Sequence, residues 1–89
     1  MKSIHYSTKA KKDLKKYRND TRKMKALFEI LSMLAEGIPL PLRYKMHELV
    51  GNYKGCFECH VENDFLLIWF DVENDIIEII RIGSHSELF

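Results

Sequence analysis

The chain has 89 residues, of which 46% are hydrophobic and 30% are charged, and its formal net charge is +1. This composition is typical of a globular domain and excludes the disordered and collagen-like classes. No segment approaches the roughly 18 consecutive apolar residues of a membrane-spanning helix, and the N-terminus lacks the apolar core of a signal peptide. We therefore expect one domain over residues 1–89, located in the cytoplasm without membrane association.

Charged residues are distributed unevenly along the chain. Residues 1–25 contain ten Lys or Arg side chains and two acids, whereas residues 55–89 contain one Arg and eight acids. A basic segment of this kind is typical of a nucleic-acid-binding surface, but it is equally typical of a solvated helix face. Charge alone leaves both interpretations open.

The first residues predict a short strand followed by a helix. Residues 2–6 alternate apolar and polar side chains, as a strand does. Ser7 or Thr8 can then cap a helix over residues 8–19, because a side-chain oxygen satisfies a free amide of the first turn. The apolar stripe of this helix comprises Ala10, Leu14 and Tyr17.

A second helix is predicted after a capping signal at Asp20 and Thr21, where a wide apolar face begins at helical spacing. Gly37 is expected to end it, because glycine readily adopts the left-handed conformation of a helix terminus. Two prolines follow directly and prevent continuation. Residues 38–52 are therefore expected to form a connecting loop.

The C-terminal half predicts strands separated by turns at residues 62–64 and 72–75. The predicted strands are Cys56–Val61, Phe65–Asp71 and Ile76–Ile82. Short turns between successive strands indicate an antiparallel meander. The order β-α-α-β-β-β predicts an α+β fold with two N-terminal helices packed on one face of a small antiparallel sheet.

Several polar groups converge at one end of this predicted sheet. The turns place His60 opposite Leu66, and Leu66 opposite Arg81, so that His60, Asp64 and Arg81 share one end. His85 follows shortly after the last strand and can reach the same rim. Because a slip of one residue would reverse the face that each side chain occupies, the register predicts the end of the sheet and not the face.

Two histidines, an arginine and a carboxylate suit cleavage of RNA by its own 2′-hydroxyl. One group must accept the 2′-proton, another must protonate the leaving 5′-oxygen, and a cation must stabilise the charge on phosphorus. Structural interpretations compete with this one. His60 could be a solvent-facing strand residue, Asp64 a turn former and Arg81 a member of a surface ion pair.

The segment from Cys56 to His60 matches the C-x-x-C-H pattern of haem attachment. We reject this interpretation because residues three apart in a strand point to opposite faces, so the two sulfurs cannot reach one porphyrin edge. The same geometry provides no tetrahedral zinc site. Cys56 and Cys59 are expected to be reduced residues of the core or its margin.

From residue 38 to the C-terminus the chain resembles the YafQ-like branch of the RelE superfamily of bacterial toxins. The motifs that carry the resemblance are IPLP (38–41), YKMHEL (44–49), GNYKG (51–55), HVENDFLLI (60–68) and RIGSHSELF (81–89). The resemblance implies a microbial-ribonuclease-like α+β fold. It also implies metal-independent cleavage of mRNA in the ribosomal A site by 2′-hydroxyl attack, which leaves a cyclic phosphate, with no cofactor.

The resemblance also assigns roles to individual residues. His85 would protonate the leaving oxygen, Arg81 would neutralise the phosphorane, and His47 would bind or orient the substrate backbone. His60 and Asp64 would assist proton removal or substrate orientation. The identity of the general base remains open among His60, Asp64 and His47.

Three further residues are candidates for substrate binding: Phe89, Phe65 and Lys54. Phe89 either stacks on an unpaired base or folds back onto the core, and both interpretations stay open. Phe65 stands where the family often has tryptophan, so it keeps an aromatic ring for stacking but lacks the indole donor. Lys54 belongs to the GNYKG motif.

The expected partners are the ribosome, mRNA and a cognate antitoxin that inhibits the toxin and through which the toxin autoregulates its operon. The basic N-terminal helices would meet ribosomal RNA, and exposed apolar surface would suit a disordered antitoxin segment that folds on binding. Two other functions compete: a ParE-like toxin that inhibits gyrase without catalysis, and a non-enzymatic nucleic-acid-binding module.

Overall fold

The computed structural model describes residues 1–73 and 75–89. The elements, in chain order, are β1 (Ser3–Tyr6), α1 (Thr8–Tyr17), α2 (Thr21–Glu36), β2 (His47–Glu48), β3 (Phe57–Glu62), β4 (Phe65–Asp71), β5 (Ile76–Gly83) and α3 (His85–Leu88). The predicted loop at 38–52 contains only β2 and two short 3₁₀ turns. The second predicted turn, 72–75, includes residue 74, which lies outside the described residues.

Both long helices begin where the capping signals predict, and α2 ends at Gly37 as predicted, whereas α1 ends at Tyr17 and not at residue 19. The Ser7 hydroxyl accepts a hydrogen bond from the Ala10 amide, and the Asp20 carboxylate accepts one from the Lys23 amide. Gly37 ends α2 with φ of +71°, a left-handed conformation that is costly for a residue with a Cβ atom. These local signals are confirmed.

The sheet has the order β1-β5-β4-β3-β2 and is mixed, so the expectation of a purely antiparallel sheet is wrong. β3, β4 and β5 form the predicted antiparallel meander, but β1 pairs with β5 in parallel. Because the two hairpins each reverse the chain, β5 runs parallel to β3. The connection from β1 to β3, which contains α1 and α2, leaves β3 and therefore β5 running in the direction of β1. β2 adds a short antiparallel edge strand that the sequence did not predict.

The register of the sheet agrees with the prediction in one hairpin and departs from it in the other. His60 lies opposite Leu66, as predicted. Arg81 lies opposite Ile68, whereas Leu66 faces Gly83, so the predicted Leu66–Arg81 pair is wrong. A β-bulge at Ile80 causes part of this shift by adding one residue to β5.

The two faces of the sheet differ in size and cover. The helices pack on one face and bury the main core, which includes Leu27, Ile30, Phe65, Leu67, Ile79 and Ile82. On the other face a smaller cluster forms around Leu66, Ile68 and Leu88, with Leu49, Tyr53, Cys56 and Ile80 beside it. Among the described residues, no helix has the length and hydropathy that crossing a membrane requires.

Candidate active site

His85 is held at the margin of the sheet by Asp64. Asp64 lies in the β3–β4 turn with φ of +50°, and Ser84 caps the short helix that His85 begins. The Asp64 Oδ1 atom accepts hydrogen bonds from the His85 backbone amide and from its Nδ1 atom, both at 2.9 Å. These contacts lower the pKa of Asp64, and the hydrogen bond from the His85 amide has the largest effect. The ring is thereby oriented through Nδ1, which leaves its Nε2 side for proton transfer.

His60 and Phe89 complete a group of rings around His85. The His60 and His85 ring centroids are 5.9 Å apart in an edge-to-face arrangement, and the His85 and Phe89 centroids are 6.3 Å apart. Phe89 is 63% exposed. Phe89 is therefore not buried in the core. The structure brings His60, Asp64 and His85 to one end of the sheet, as predicted. Arg81, which was predicted at the same end, lies opposite Ile68, further along β4 than Leu66.

Arg81 is anchored by an acid that the sequence analysis did not identify. Its Nε atom donates to Asp13 Oδ2 at 2.8 Å, and its Nη2 atom donates to Asp13 Oδ1 at 3.2 Å. Asp13 is the main cause of the raised pKa of Arg81, and Tyr53 contributes in the same direction. Arg81 is thus a fixed cation on β5, and it is also a member of an ion pair.

Tyr53 joins the C-terminal tail to the open face of the sheet. Its hydroxyl donates to the Leu88 carbonyl at 3.1 Å, and its ring makes an edge contact with Phe89 at a centroid distance of 5.5 Å. It also lies close enough to Arg81 to raise the pKa of that group. Tyr53 was not predicted as a site residue, although it lies within the GNYKG motif.

Glu87 fastens the helix that carries His85 to α1. Its carboxylate accepts hydrogen bonds from Lys16 Nζ, from the Tyr17 hydroxyl and from the Ser84 amide. The pKa of Glu87 is lowered to about 2, and the hydrogen bond from Lys16 is the largest cause. The pKa of Tyr17 is raised to about 12, mainly by burial and next by its hydrogen bond to Glu87. A depressed carboxyl pKa stabilises the fold above the ordinary value of 4.5. The Glu87 contacts are therefore fully formed at neutral pH.

A family model described as "Bacterial toxin of type II toxin-antitoxin system, YafQ" matches residues 2–89. The chain belongs to the YafQ toxin family. An Escherichia coli K12 relative named "mRNA interferase toxin YafQ" is 36% identical over 91 residues, which span 99% of this chain and 96% of the relative. The family assignment that the sequence motifs predicted is confirmed.

Solved structures of relatives superpose over the whole chain. The E. coli DinJ–YafQ complex contains a chain that is 32% identical, with a TM-score of 0.86 and coverage of 100% of this chain and 99% of the other. The crystal structure of a metal-bound toxin from Helicobacter pylori is 38% identical, with a TM-score of 0.89 and full coverage of both chains. The predicted α+β class and the YafQ-like fold are therefore confirmed.

In this YafQ family member, His47 lies on the edge strand β2 and makes contacts that are separate from the group formed by His60, Asp64 and His85. Its Nδ1 atom is 2.8 Å from the Lys45 carbonyl oxygen, and its Nε2 atom is 3.2 Å from Glu58 Oε1. Glu58 is 4% exposed, and its Oε2 atom has no hydrogen-bond partner among the described residues. Both ring nitrogens of His47 therefore face oxygen atoms of the chain, and its contacts do not include His60, Asp64 or His85.

The substrate-stacking interpretation of Phe65 is wrong. Phe65 has no exposed surface, and its ring packs against Tyr17 at a centroid distance of 4.9 Å on the helix-covered side of the sheet. The stacking role came from the family resemblance, which supplied a residue type for this position without its burial. Lys54, in contrast, is exposed directly after the 3₁₀ turn Gly51–Tyr53.

A cleft of about 390 Å³ lies next to His60. Arg43, Tyr44 and Lys45 line one side of it, and residues 60–63 line the other. Arg43 and Lys45 give this cleft two cations beside His60, which suits a polyanionic substrate. A larger groove of about 570 Å³ runs along α2 and contains none of the predicted site residues.

The two cysteines occupy opposite sides of the sheet, as predicted. Cys59 belongs to the helix-covered core, and Cys56 packs beside the smaller cluster. Burial raises the pKa of the Cys59 thiol to about 12, so it is not a reactive thiolate at neutral pH. In the part of the chain that the structure describes, no three His, Cys, Asp or Glu side chains converge as metal ligands.

Proposed function

We propose that this chain is a ribosome-dependent mRNA interferase, an endoribonuclease toxin that cuts mRNA in the A site and is neutralised by a protein antitoxin. The observation that carries the proposal is the Asp64–His85 contact beside His60, in a chain that belongs to the YafQ family. The whole chain would act as one domain, and a ribosomal substrate implies action in the cytoplasm.

The proposed reaction is an in-line transfer within the RNA. The ribose 2′-oxygen bonds to phosphorus as the bond from phosphorus to the 5′-oxygen breaks, which leaves a 2′,3′-cyclic phosphate and a free 5′-hydroxyl. His85 donates its Nε2 proton to the leaving 5′-oxygen while Asp64 holds Nδ1. Arg81 neutralises the charge that develops on the phosphoryl oxygens.

His60 is the general base that the geometry favours. Asp64 already accepts two hydrogen bonds from His85, and both ring nitrogens of His47 face Lys45 and Glu58. Among the described residues, no hydrogen bond engages the His60 ring, which lines the cleft and lies beside the His85 ring. His60 can therefore accept the 2′-proton, and His47 would orient the substrate backbone at the edge of the sheet.

Phe89 and Lys54 are proposed to bind RNA outside the reacting bond. The exposed Phe89 ring can stack on an unpaired base, a contact that is typically worth about 1 to 3 kcal/mol. The exposed Lys54 can bind phosphate. The basic face of α1 and α2 would bind ribosomal RNA through a salt-sensitive attraction.

The proposed inhibitor is a protein antitoxin, as in the E. coli DinJ–YafQ complex. An antitoxin segment that folds on binding would cover apolar surface of the toxin. The largest exposed apolar side chains on the helices and the following loop include Phe28, Ile38 and Leu42. The complex is further proposed to regulate its own operon through the antitoxin.

The proposal predicts that the purified chain cuts mRNA only when ribosomes translate it. Mapping the 5′ ends should place the cuts within A-site codons, and the same mRNA without ribosomes should remain intact. Added antitoxin should stop the cleavage. Binding to RNA that stays intact would identify a non-enzymatic module, and inhibition of gyrase supercoiling without mRNA cleavage would identify a ParE-like toxin.

Cleavage is also expected to continue in the presence of a chelator, because the proposed acid, base and cation are all side chains. The test uses ribosome complexes assembled with Mg²⁺ and chelators that remove transition metals but leave Mg²⁺ bound to the ribosome. Matched reactions with and without chelator should give rates within about twofold. Loss of cleavage that Zn²⁺ or Cu²⁺ restores would overturn the metal-independent mechanism.

A further inference from the structure

Asp13 connects α1 to the strand that carries Arg81. Its Oδ2 atom accepts a hydrogen bond from the Ile82 amide at 2.9 Å, and the same carboxylate accepts two from the Arg81 guanidinium. The start of α1 is fixed to the same strand, because the Ser7 hydroxyl donates to the Ile80 carbonyl at 2.7 Å, at the β-bulge. The Asp13 carboxylate is therefore held in place on β5.

We propose that Asp13 is a positioning residue that orients Arg81 toward the scissile phosphate. This inference rests on the proposed function. Asp13 does not touch the substrate in this scheme. It would act by fixing the guanidinium plane, and its effect should therefore depend on the presence of Arg81.

The geometry of the ion pair leaves one edge of the guanidinium free of Asp13. Asp13 engages Nε and one proton of Nη2, which form the side edge of the planar group. The Nη1 group and the outer Nη2 proton, at the far edge, are not used by Asp13. This edge matches two oxygens of a phosphate in a paired arrangement.

A fixed orientation matters because the arginine side chain has several rotatable bonds. Without Asp13, the guanidinium would sample rotamers that do not present its free edge to the reacting phosphate, so a larger fraction of bound complexes would be unproductive. The pair is well placed to prevent this, because the Arg81 and Asp13 side chains are only 19% and 13% exposed. The raised pKa of Arg81 agrees with the contact.

The first test is Asp13→Asn, which keeps the size of the side chain and removes its charge. Misplacement of a catalytic group by about 1 Å can slow a reaction about 100-fold, so we expect the single-turnover cleavage rate on saturated ribosome complexes to fall about 10- to 100-fold. The dissociation constant for the ribosome should change less than about threefold. Glu29→Gln is the matched control, because it makes the same charge change at an exposed site on α2 and should cleave at the wild-type rate.

The second test places Asp13→Asn in the Arg81→Ala background. If Asp13 acts through Arg81, the added substitution should change the remaining rate by less than about twofold. An equal loss of rate in both backgrounds would show a structural role for Asp13 and overturn the inference. A cleavage rate of Asp13→Asn within about threefold of the wild-type rate would also overturn it. A wild-type chain that fails to cleave would overturn the proposed function and the inference together.

A spectroscopic measurement covers the case in which a variant is poorly stable. In the wild-type chain the Arg81 Nε proton should exchange slowly with water, because Asp13 accepts it. Asp13→Glu retains a carboxylate and should preserve part of this protection and part of the rate, whereas Asp13→Asn should preserve less of both. A rapidly exchanging Arg81 Nε proton in the folded wild-type chain would contradict the positioning role.

Discussion

His85→Ala is expected to slow mRNA cleavage by about 10² to 10⁴-fold, the usual effect of removing a positioned general acid. The structure supports this role because Asp64 holds the ring through Nδ1 and so directs the Nε2 side away from the carboxylate. The measurement is the single-turnover rate on ribosome complexes saturated with toxin, with ribosome binding determined separately. A loss in the chemical step should leave the dissociation constant nearly unchanged.

The His85→Ala protein should remain folded. The His85 side chain is 57% exposed, and its backbone amide keeps its hydrogen bond to Asp64 when the ring is removed. The helix that begins at His85 also keeps the Ser84–Glu87 capping box. Circular dichroism and thermal unfolding should therefore resemble those of the wild type.

His5→Ala is a matched control for the histidine substitution. His5 is exposed on β1, which pairs with the end of β5 that is remote from Gly83 and α3. This variant should cleave at the wild-type rate. A folded, ribosome-bound His85→Ala protein that cleaves within about threefold of wild type would remove His85 from the role of acid.

Local sequence signals predicted the parts of the fold that depend on neighbouring residues. Ser7 and Asp20 cap the helices as expected, and Gly37 ends the second one, because each acts within one turn of its own position. The His60–Leu66 pairing was also predictable, since a short turn joins the two strands. These features were enough to place His60, Asp64 and His85 together.

The features that the sequence did not reveal depend on residues far apart in the chain. The contact of Asp13 with Arg81 spans 68 positions, and the contact of Lys16 with Glu87 spans 71. Asp13 and Lys16 resemble ordinary solvated helix residues until the position of α1 on β5 is known. The bulge at Ile80 was also hidden, because an extra residue in an apolar run leaves no distinct pattern.

The long-range contacts give the first helix a second structural role. One end of α1 is fixed to the bulge through Ser7, its middle binds Arg81 through Asp13, and its last turn binds Glu87. The basic charge predicted from composition is therefore only part of what this helix contributes. Through these contacts, α1 holds Arg81, the proposed cation, and the short helix that begins at His85, the proposed acid, in fixed positions relative to each other.

Arg81→Ala is expected to slow cleavage by about 10² to 10³-fold, similar to the loss of one donor to a developing oxyanion. The reason is that the guanidinium is the fixed cation on this part of the sheet, with the edge that Asp13 does not use available to phosphate oxygens. Arg81→Lys keeps a charge but loses the planar fork, so its rate should fall between those of Arg81→Ala and the wild type. Removal of Arg81 leaves Asp13 with the Ile82 amide as its remaining partner, so each variant needs a measured unfolding midpoint.

The double variant His85→Ala/Arg81→Ala tests whether the two groups act on the same transition state. Groups that act as a unit give non-additive losses, so the double variant should lose less than the product of the two single losses. The rates should be compared on saturated ribosome complexes, where differences in binding do not contribute. If the losses multiply fully, Arg81 and His85 act in independent steps, and Arg81 would then be assigned to substrate binding before the chemical step.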